Sequence, residues 1–383
     1  MSAIRHHKTV CYHQGGFPPA ERLNWRRLAP SLTQAALALG HYANTLGTVP
    51  NARVLLSLLT RMEAERSSRI EGTVATVEDV LRYETGEKPA SPKLEEDVRE
   101  VINYQLALEQ GQDLLTGQQL SHEVMLKIHR TLLSGARGRD KNPGAFRVNQ
   151  NWIVNSGGSN IDAIYEPVSY SRLHETLDKW LEFILNDETS PLLKVALTHA
   201  EFEAIHPFND GNGRLGRILV PLQMWKYGLI PEPLFNIGVR LEVDRDDYYD
   251  RLLAVSRDDD WTGWCVFFLK AIEVQAREDI APMRKARDLY DHMIREFDEV
   301  RRSKYGIPLL DGIFNRPYFT IRLLAADTGT PEWATRRIVE KLAENNALVE
   351  LHPGKGRTPS RYMFTELWKI VRGDRTEQSE TFV

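Results

Sequence analysis

The chain has 383 residues, with 49 basic against 53 acidic side chains, a formal net charge of -4 and 42% hydrophobic residues. That balance gives no whole-chain sign of nucleic-acid or membrane binding, and the length suffices for two or three domains with a substantial core. No apolar run approaches a membrane span, Met1 to Tyr12 lacks a signal peptide's apolar core, and only Cys11 and Cys265 are cysteines, so no membrane partner, no disulfide framework and a cytoplasmic location are expected.

Gly15 to Pro19 reads as an irregular arm on the surface, and Asn24 to Tyr42 has helical apolar spacing at Leu28, Leu32, Ala35, Ala36 and Leu39. Ala52 to Gly72 predicts an amphipathic helix, with a stripe of Val54, Leu55, Leu58, Leu59 and Met62 and with Gly72 ending it as the C′ residue. Glu71 then falls in the last turn, where the helix dipole disfavours a negative charge by roughly 0.3–1 kcal/mol. An acid there implies a cationic partner elsewhere.

Thr76 to Tyr83 is a further short helix, Glu84 to Lys93 a polar loop, and Leu94 to Leu115 and Ser121 to Leu133 are two amphipathic helices. His129 follows His122-Glu123 too late for an H-E-x-x-H zinc helix, so both histidines are expected to be structural or surface residues. Ser134 to Gly144 is a basic, glycine-bearing loop. From Arg147 to Pro167 the pattern turns β-prone at Val148, Trp152 to Val154 and Ile161 to Tyr165, around the turn cluster Ser156 to Asn160. This predicts a hairpin whose edge can take an extended peptide as an added strand.

Arg172 to Leu185 and Leu192 to Ile205 are helices, the second carrying His199 as a hydrogen-bonded packing residue. His206 to Arg217 then reads His-Pro-Phe-Asn-Asp-Gly-Asn-Gly-Arg-Leu-Gly-Arg. A glycine turn opening a helix presents free N–H groups and a positive dipole end to an anion. Arg214 and Arg217 lie three apart and can lean to one side of that turn. Together with Gly211, Asn212 and Gly213 they make a polyphosphate cradle. Asp210 is a hard oxygen ligand suited to Mg²⁺, and His206 can accept a proton near neutral pH. Gly211, Gly213 and Gly216 satisfy G-x-G-x-x-G, but helical rather than β spacing precedes them, so a dinucleotide-binding strand is rejected; no Gly-Lys-Ser/Thr follows for a Walker loop.

At every fixed position this run resembles the H-P-F-x-D/E-G-N-G-R-x-x-R signature of the Fic family. The resemblance implies a protein adenylyltransferase that moves AMP from ATP to Ser, Thr or Tyr hydroxyls of proteins, itself included. It implies that His206 deprotonates the target hydroxyl, that Asp210 holds Mg²⁺, and that Gly211, Asn212 and Gly213 hold the α- and β-phosphates. Arg214 and Arg217 would take the β and γ groups, with Leu215 and Gly216 in the same binding segment. Ser67-x-x-x-Glu71-Gly72 is similar to the family's inhibitory motif S/T-x-x-x-E-G/N, which implies that Glu71 pairs with Arg217 and obstructs the γ-phosphate. The hairpin at 147–167 stands where family members carry a flap that aligns a target protein's main chain.

After the signature, Asp244 to Ser256 resumes a helix with Tyr248-Tyr249, and the resemblance places Tyr249 near the nucleotide. Trp261 to Ile272 closes the bundle, and Glu273 to Lys304 predicts a long charged connecting helix. Helices at Thr320 to Ala326 and Thr330 to Glu344, then strands at Leu348 to Leu351 and Arg361 to Phe364, resemble a winged helix. Phe314 to Arg372 holds 10 basic against 6 acidic residues, a net of +4, and Arg336, Arg337, Lys355 and Arg357 could contact DNA. Such modules also bind protein or dimerise, so DNA, a homodimer and a protein partner all stay open. The expected fold class is mainly α: a Fic-type helical bundle with a β-hairpin flap and a small C-terminal winged-helix-like domain. Its regions are an inhibitory-helix region at 1–93, a catalytic core at 94–272, a helical linker at 273–313 and the C-terminal domain at 314–383. Beside the transferase stand two other readings: a DNA-binding regulator that senses nucleotide, and a hydrolase that removes AMP with Glu71 positioning water.

Overall fold

Two segments, Pro191–Ile205 and Asn212–Lys226, are buried on nearly every side, as befits helices at the centre of a bundle. The turn from His206 to Gly211 joins them, so both its ends are anchored in the core. The computed structural model describes residues 9–13, 16–136, 138, 140–154, 163–354 and 359–372.

The N-terminal part contains β1 (Val10–Cys11), α1 (Trp25–Gly47), α2 (Ala52–Leu55), α3 (Ser57–Ile70) and α4 (Val77–Glu84). Then come α5 (Pro92–Gly117), α6 (His122–Leu132), β2 (Ile153–Val154), β3 (Ala163–Glu166), α7 (Leu173–Asn186) and the central pair α8 (Pro191–Ile205) and α9 (Asn212–Lys226). The chain continues through α10 (Ile237–Val243), α11 (Arg245–Asp258), α12 (Trp261–Glu296), α13 (Asp298–Arg301) and α14 (Gly306–Asn315). It ends with β4 (Tyr318–Thr320), α15 (Ile321–Thr328), α16 (Glu332–Glu344), β5 (Val349–His352), β6 (Arg361–Met363) and α17 (Thr365–Arg372). The fold is mainly α. Among the described residues no helix is long and apolar enough to cross a membrane.

Local chemistry explains most boundaries. Ser91 caps α5 by accepting the Leu94 N–H with Pro92 in the first turn, and Thr76 and Asp79 form a reciprocal capping box on α4. Gly72, at φ +92°, ends the α3 segment in the left-handed conformation that glycine adopts without strain.

Several elements differ from expectation. The helix expected over Ala52 to Gly72 breaks at Leu56, and polar Arg61, Glu63, Glu65, Ser67 and Ser68 of α3 are buried beside its apolar stripe. The expected boundary between Ile272 and Glu273 falls inside one continuous helix, α12, which stops at Glu296 rather than Lys304. Nor does the hairpin stand alone: β1 pairs in parallel with β3, Val10 opposite Tyr165, giving the order β1-β3-β2. A two-residue strand carries no alternating pattern, so the arm showed no strand signal. β3 is therefore the central strand and β1 and β2 are the edges, while Val148 lies outside the strands and the turn Ser156 to Asn160 lies outside the described residues.

The C-terminal segment packs a helix, a strand, two helices and an antiparallel strand pair around a sheet of order β4-β6-β5. It grips α3 directly. Ser57 Oγ donates to the Asn315 carbonyl at 3.0 Å, and Arg61 Nη1 donates to the same carbonyl at 2.8 Å. Glu84 lies 3.3 Å from Arg61 and 3.5 Å from Arg316, while Glu87 accepts from Tyr318 Oη at 2.7 Å and lies 3.1 Å from Arg361. The Arg61 side chain is only 5% exposed. Removing Arg61 takes a buried donor from the Asn315 carbonyl and leaves Glu84 with Arg316 as its remaining cation. Arg61→Ala is expected to lower unfolding stability by about 3 kcal/mol, read as a lower urea midpoint at unchanged m-value; a change within 0.5 kcal/mol would show that the contact is not stabilising.

Candidate functional site

His206 ends α8 in the left-handed conformation at φ 49°, which costs a non-glycine residue about 1–2 kcal/mol. The surroundings hold it there. Buried Arg147 donates from Nε to the His206 carbonyl at 3.1 Å, from Nη1 to the Asn149 carbonyl at 3.1 Å and from Nη2 to the Val168 carbonyl, while its backbone N–H meets the Pro207 carbonyl at 2.9 Å. Asn212 clamps the next residue from both sides, accepting the Phe208 N–H and donating to the Phe208 carbonyl, each at 2.9 Å. Below, His129 stacks on the Phe208 ring at 3.8 Å between centroids. Its Nδ1 accepts the Gly144 N–H, so Nε2 carries the proton donated to the Asp210 carbonyl at 2.9 Å. Burial lowers the His129 pKa to about 4 and keeps the ring neutral in this role.

The second half of the site is a buried cation. Arg217, 1% exposed, donates from Nε to Ser67 Oγ at 2.7 Å and from Nη2 to the Ser67 carbonyl at 2.9 Å and to Glu71 Oε1 at 2.7 Å. Burial works most strongly against its charge, but Glu71 together with Tyr248, Glu203 and Tyr249 outweighs it and the pKa rises. For Glu71 burial likewise opposes ionisation, and Arg217 overrides it, so the carboxyl is held below its ordinary value. A Cβ added at Gly213 would overlap Glu71 Oε1. The carboxylate therefore lies on the opening of α9, the position where backbone N–H groups and the dipole favour an anion.

Arg214 does not join Arg217 in a shared fork. Its side chain is 1% exposed and lies 3.2 Å from Glu100 and 3.3 Å from Asp210. Leu215, expected inside the binding segment, is fully buried in the apolar core and packs rather than lines the cavity. Gly216 offers its carbonyl to His199 Nδ1 at 3.2 Å, and His199 Nε2 meets Tyr248 Oη at 3.0 Å, so His199 couples the signature helix to α11 as a packing residue. Asn212 commits its side-chain oxygen and one amide N–H to Phe208.

A cavity of about 150 Å³ opens beside these groups. One wall is polar, with Glu71, His206, Gly213 and Arg217; the other is apolar, with Ile153 and Ile164 of the hairpin, Tyr249 and Leu252. An anion on the polar side with a flat ring on the other would fit that division. Asp210, 31% exposed, accepts from Gly211 N at 2.6 Å and Arg214 at 3.3 Å, and its other oxygen closely abuts Gly138. Among the described residues no group of three or more His, Cys, Asp or Glu could hold a metal. One carboxylate beside an anion cradle suits Mg²⁺, whose remaining ligands are substrate phosphates and water. Arg147, His129, Glu100 and Glu203 carried no sequence signal as site residues, because each reaches the loop from outside the twelve-residue motif.

Fold and site together define a helical protein whose central helix opens on a carboxylate beside a half-buried neutral histidine. Residues 29–113 match the Fic/DOC family N-terminal description and residues 119–224 the Fic/DOC family description. These matches show a Fic/DOC N-terminal region followed by a Fic/DOC domain within residues 29–224. It is 27% identical over 174 residues to the Caenorhabditis elegans protein adenylyltransferase fic-1, covering 44% of this chain and 30% of that protein. It is 26% identical over 199 residues to the protein adenylyltransferase Fic of Nematostella vectensis, covering 50% of this chain and 42% of the relative. The chain thus spans less than half the length of these two relatives. A crystallised Fic family protein from Desulfovibrio desulfuricans superposes with a TM-score of 0.56 at 20% identity, over 92% of this chain and 98% of that one. A Fic domain-containing protein from Bacteroides thetaiotaomicron gives 0.52 at 17%, over 67% and 97%. At these identities the two structures speak to the fold.

Burial lowers the His206 pKa to about 4, against the opposing pull of the Glu203 carbonyl and Glu71. The depressed value means that the ring gains a proton only as pH falls through about 4, and is neutral throughout the physiological range. An NMR titration of the His206 ring is expected to show this low midpoint; one near 6.5, the ordinary histidine value, would show that burial does not set its protonation.

Proposed function

We propose that this chain is a protein adenylyltransferase that moves AMP from ATP to a protein hydroxyl and is held down by its own Glu71. The observation that carries the reading is the Glu71 carboxylate lying over Gly213 and paired with Arg217 at 2.7 Å, an anion in an anion's place. The relatives' printed name, protein adenylyltransferase, supports the same reading.

In this mechanism the neutral His206 imidazole accepts the proton of the attacking hydroxyl. A bond forms from that oxygen to the α-phosphorus, the bond from the α-phosphorus to the bridging oxygen breaks, and pyrophosphate leaves. The α9 start, through the N–H groups around Gly213, and Arg217 hold and neutralise the phosphates, positioning and charge being what phosphoryl transfer chiefly needs. Asp210 would hold Mg²⁺, which supplies charge neutralisation between the phosphates. Tyr249 and Leu252 with the hairpin isoleucines would take the base, and the open edge of β2 would align a target peptide by strand addition. Glu71 denies the γ-phosphate its guanidinium, so a nucleotide entering over it binds askew.

Contact with DNA has weaker support. On the exposed face of α16, Arg336 lies 3.4 Å from Glu332 and 3.9 Å from Glu340, and Lys341 lies 2.6 Å from Glu344, so the face is charge-balanced; Lys355 and Arg357 lie outside the described residues.

The test is incubation with Mg²⁺ and ATP labelled at the α-phosphate, with γ-labelled ATP in parallel. Label from the α position alone is expected, with a rate about tenfold higher in Glu71→Gly, the size of an ordinary coupling free energy. His206→Ala should slow it by roughly 10²–10⁴-fold, the usual worth of a general base. Label from the γ position would make the protein a kinase-like enzyme, and equal rates in Glu71→Gly and wild type would remove the inhibitory role.

A further inference from the structure

Glu203 sits on α8, one turn before His206, and lines the same cavity as Glu71, His206, Gly213 and Arg217. Its Oε1 is buried and, among the described residues, has no hydrogen-bond partner. The side chain presses so closely on α9 that a Cβ at Gly216 would overlap Oε1. Gly216 thus makes room for a carboxyl inside the phosphate side of the site, where a second acid is at first sight misplaced.

Charge counting shows what it must be. The groups facing Glu203 are Arg217 from α9, Glu71 from the end of α3, Tyr248 and Tyr249 from α11, and His206 at the end of its own helix. Arg217 is the single cation of that set; its one charge is matched by Glu71, and its Nε and Nη2 are bonded to Ser67 and Glu71. A second buried anion would have no partner, which water-poor surroundings make costly. A neutral carboxyl instead keeps an O–H to donate.

We propose that Glu203 is a nucleotide-binding residue that works as the neutral acid, offering a proton to a phosphate oxygen, so that polyphosphate enters this site only while Glu203 keeps its proton. The inference rests on the nucleotide reading above. When Glu71 withdraws and phosphates take its place, Glu203 faces more negative charge than before, and its loss of a proton opposes binding more strongly still. Burial raises the Glu203 pKa to about 8, with Arg217 pulling it down and Glu71 pushing it up. His206, lowered to about 4, and Tyr249, raised to about 12, titrate far from that range. The terminal phosphate of a nucleotide ionises near pH 6 and is constant above pH 7. Between pH 7 and 9, Glu203 is therefore the group of this set whose charge changes.

The experiment is calorimetric binding of Mg²⁺-ATP to the full chain and to Glu203→Gln at intervals from pH 7 to 9. For the wild type, affinity should fall by about tenfold per pH unit once Glu203 ionises, as loss of one required proton dictates. For Glu203→Gln, which keeps a neutral donor of the same shape, the profile should be flat. An equal fall in both proteins, or a flat profile in the wild type, would overturn the proposal while leaving nucleotide binding intact. Absence of binding by either protein at any pH would overturn the nucleotide reading itself, and this inference with it.

Discussion

Arg217 is a buried cation that must be given an anion, and the chain supplies one from the end of a helix 146 residues earlier in sequence. That carboxylate, Glu71, stands at two helix ends at once. It caps the C-terminal end of α3, where the dipole opposes it, and lies on the N-terminal opening of α9, where the dipole favours it. The favourable end and the guanidinium together offset the unfavourable one. An arrangement so settled without a ligand can be displaced only by something that satisfies Arg217 and the α9 opening as well, and a polyphosphate does both.

The histidine loop obeys a related logic. His206 is strained in its backbone, yet Arg147, Asn212 and His129 each spend their polar atoms on main-chain groups of the loop. Arg147 is bonded to carbonyls alone, and burial draws its pKa down to about 10. A cation kept in such a place serves position, not charge pairing. His206 is thereby fixed in place, and in the proposed reaction, where it is the base, nothing need reorganise at the moment of transfer.

α3 ties the two ends of the molecule together. Its first turns are held by the C-terminal segment through Ser57 and Arg61, and its last by Arg217 through Ser67 and Glu71. In between, Glu63 accepts the Gly238 N–H at 2.9 Å and the Tyr104 hydroxyl at 3.1 Å. A polar helix buried along its length cannot move without breaking several such contacts, which places the stability of the Glu71–Arg217 contact partly in the C-terminal segment.

The contiguous motif from His206 to Arg217, the helical periods on either side of it, Gly72 at a helix end and an acid wanting a cation were all legible in the amino-acid sequence, because each depends on neighbours a few residues away. The mainly α class followed from the same local periods. Tertiary structure alone decided that Arg214 turns to Glu100 while Arg217 turns to Ser67, that Leu215 packs in the core, and that Arg147, His129 and Glu203 surround the loop. It likewise decided that β1 joins the hairpin and that the polar side of α3 is buried. Periodicity tells which face of a helix is apolar, but whether a polar face is buried depends on which distant donors and acceptors the fold brings to meet it.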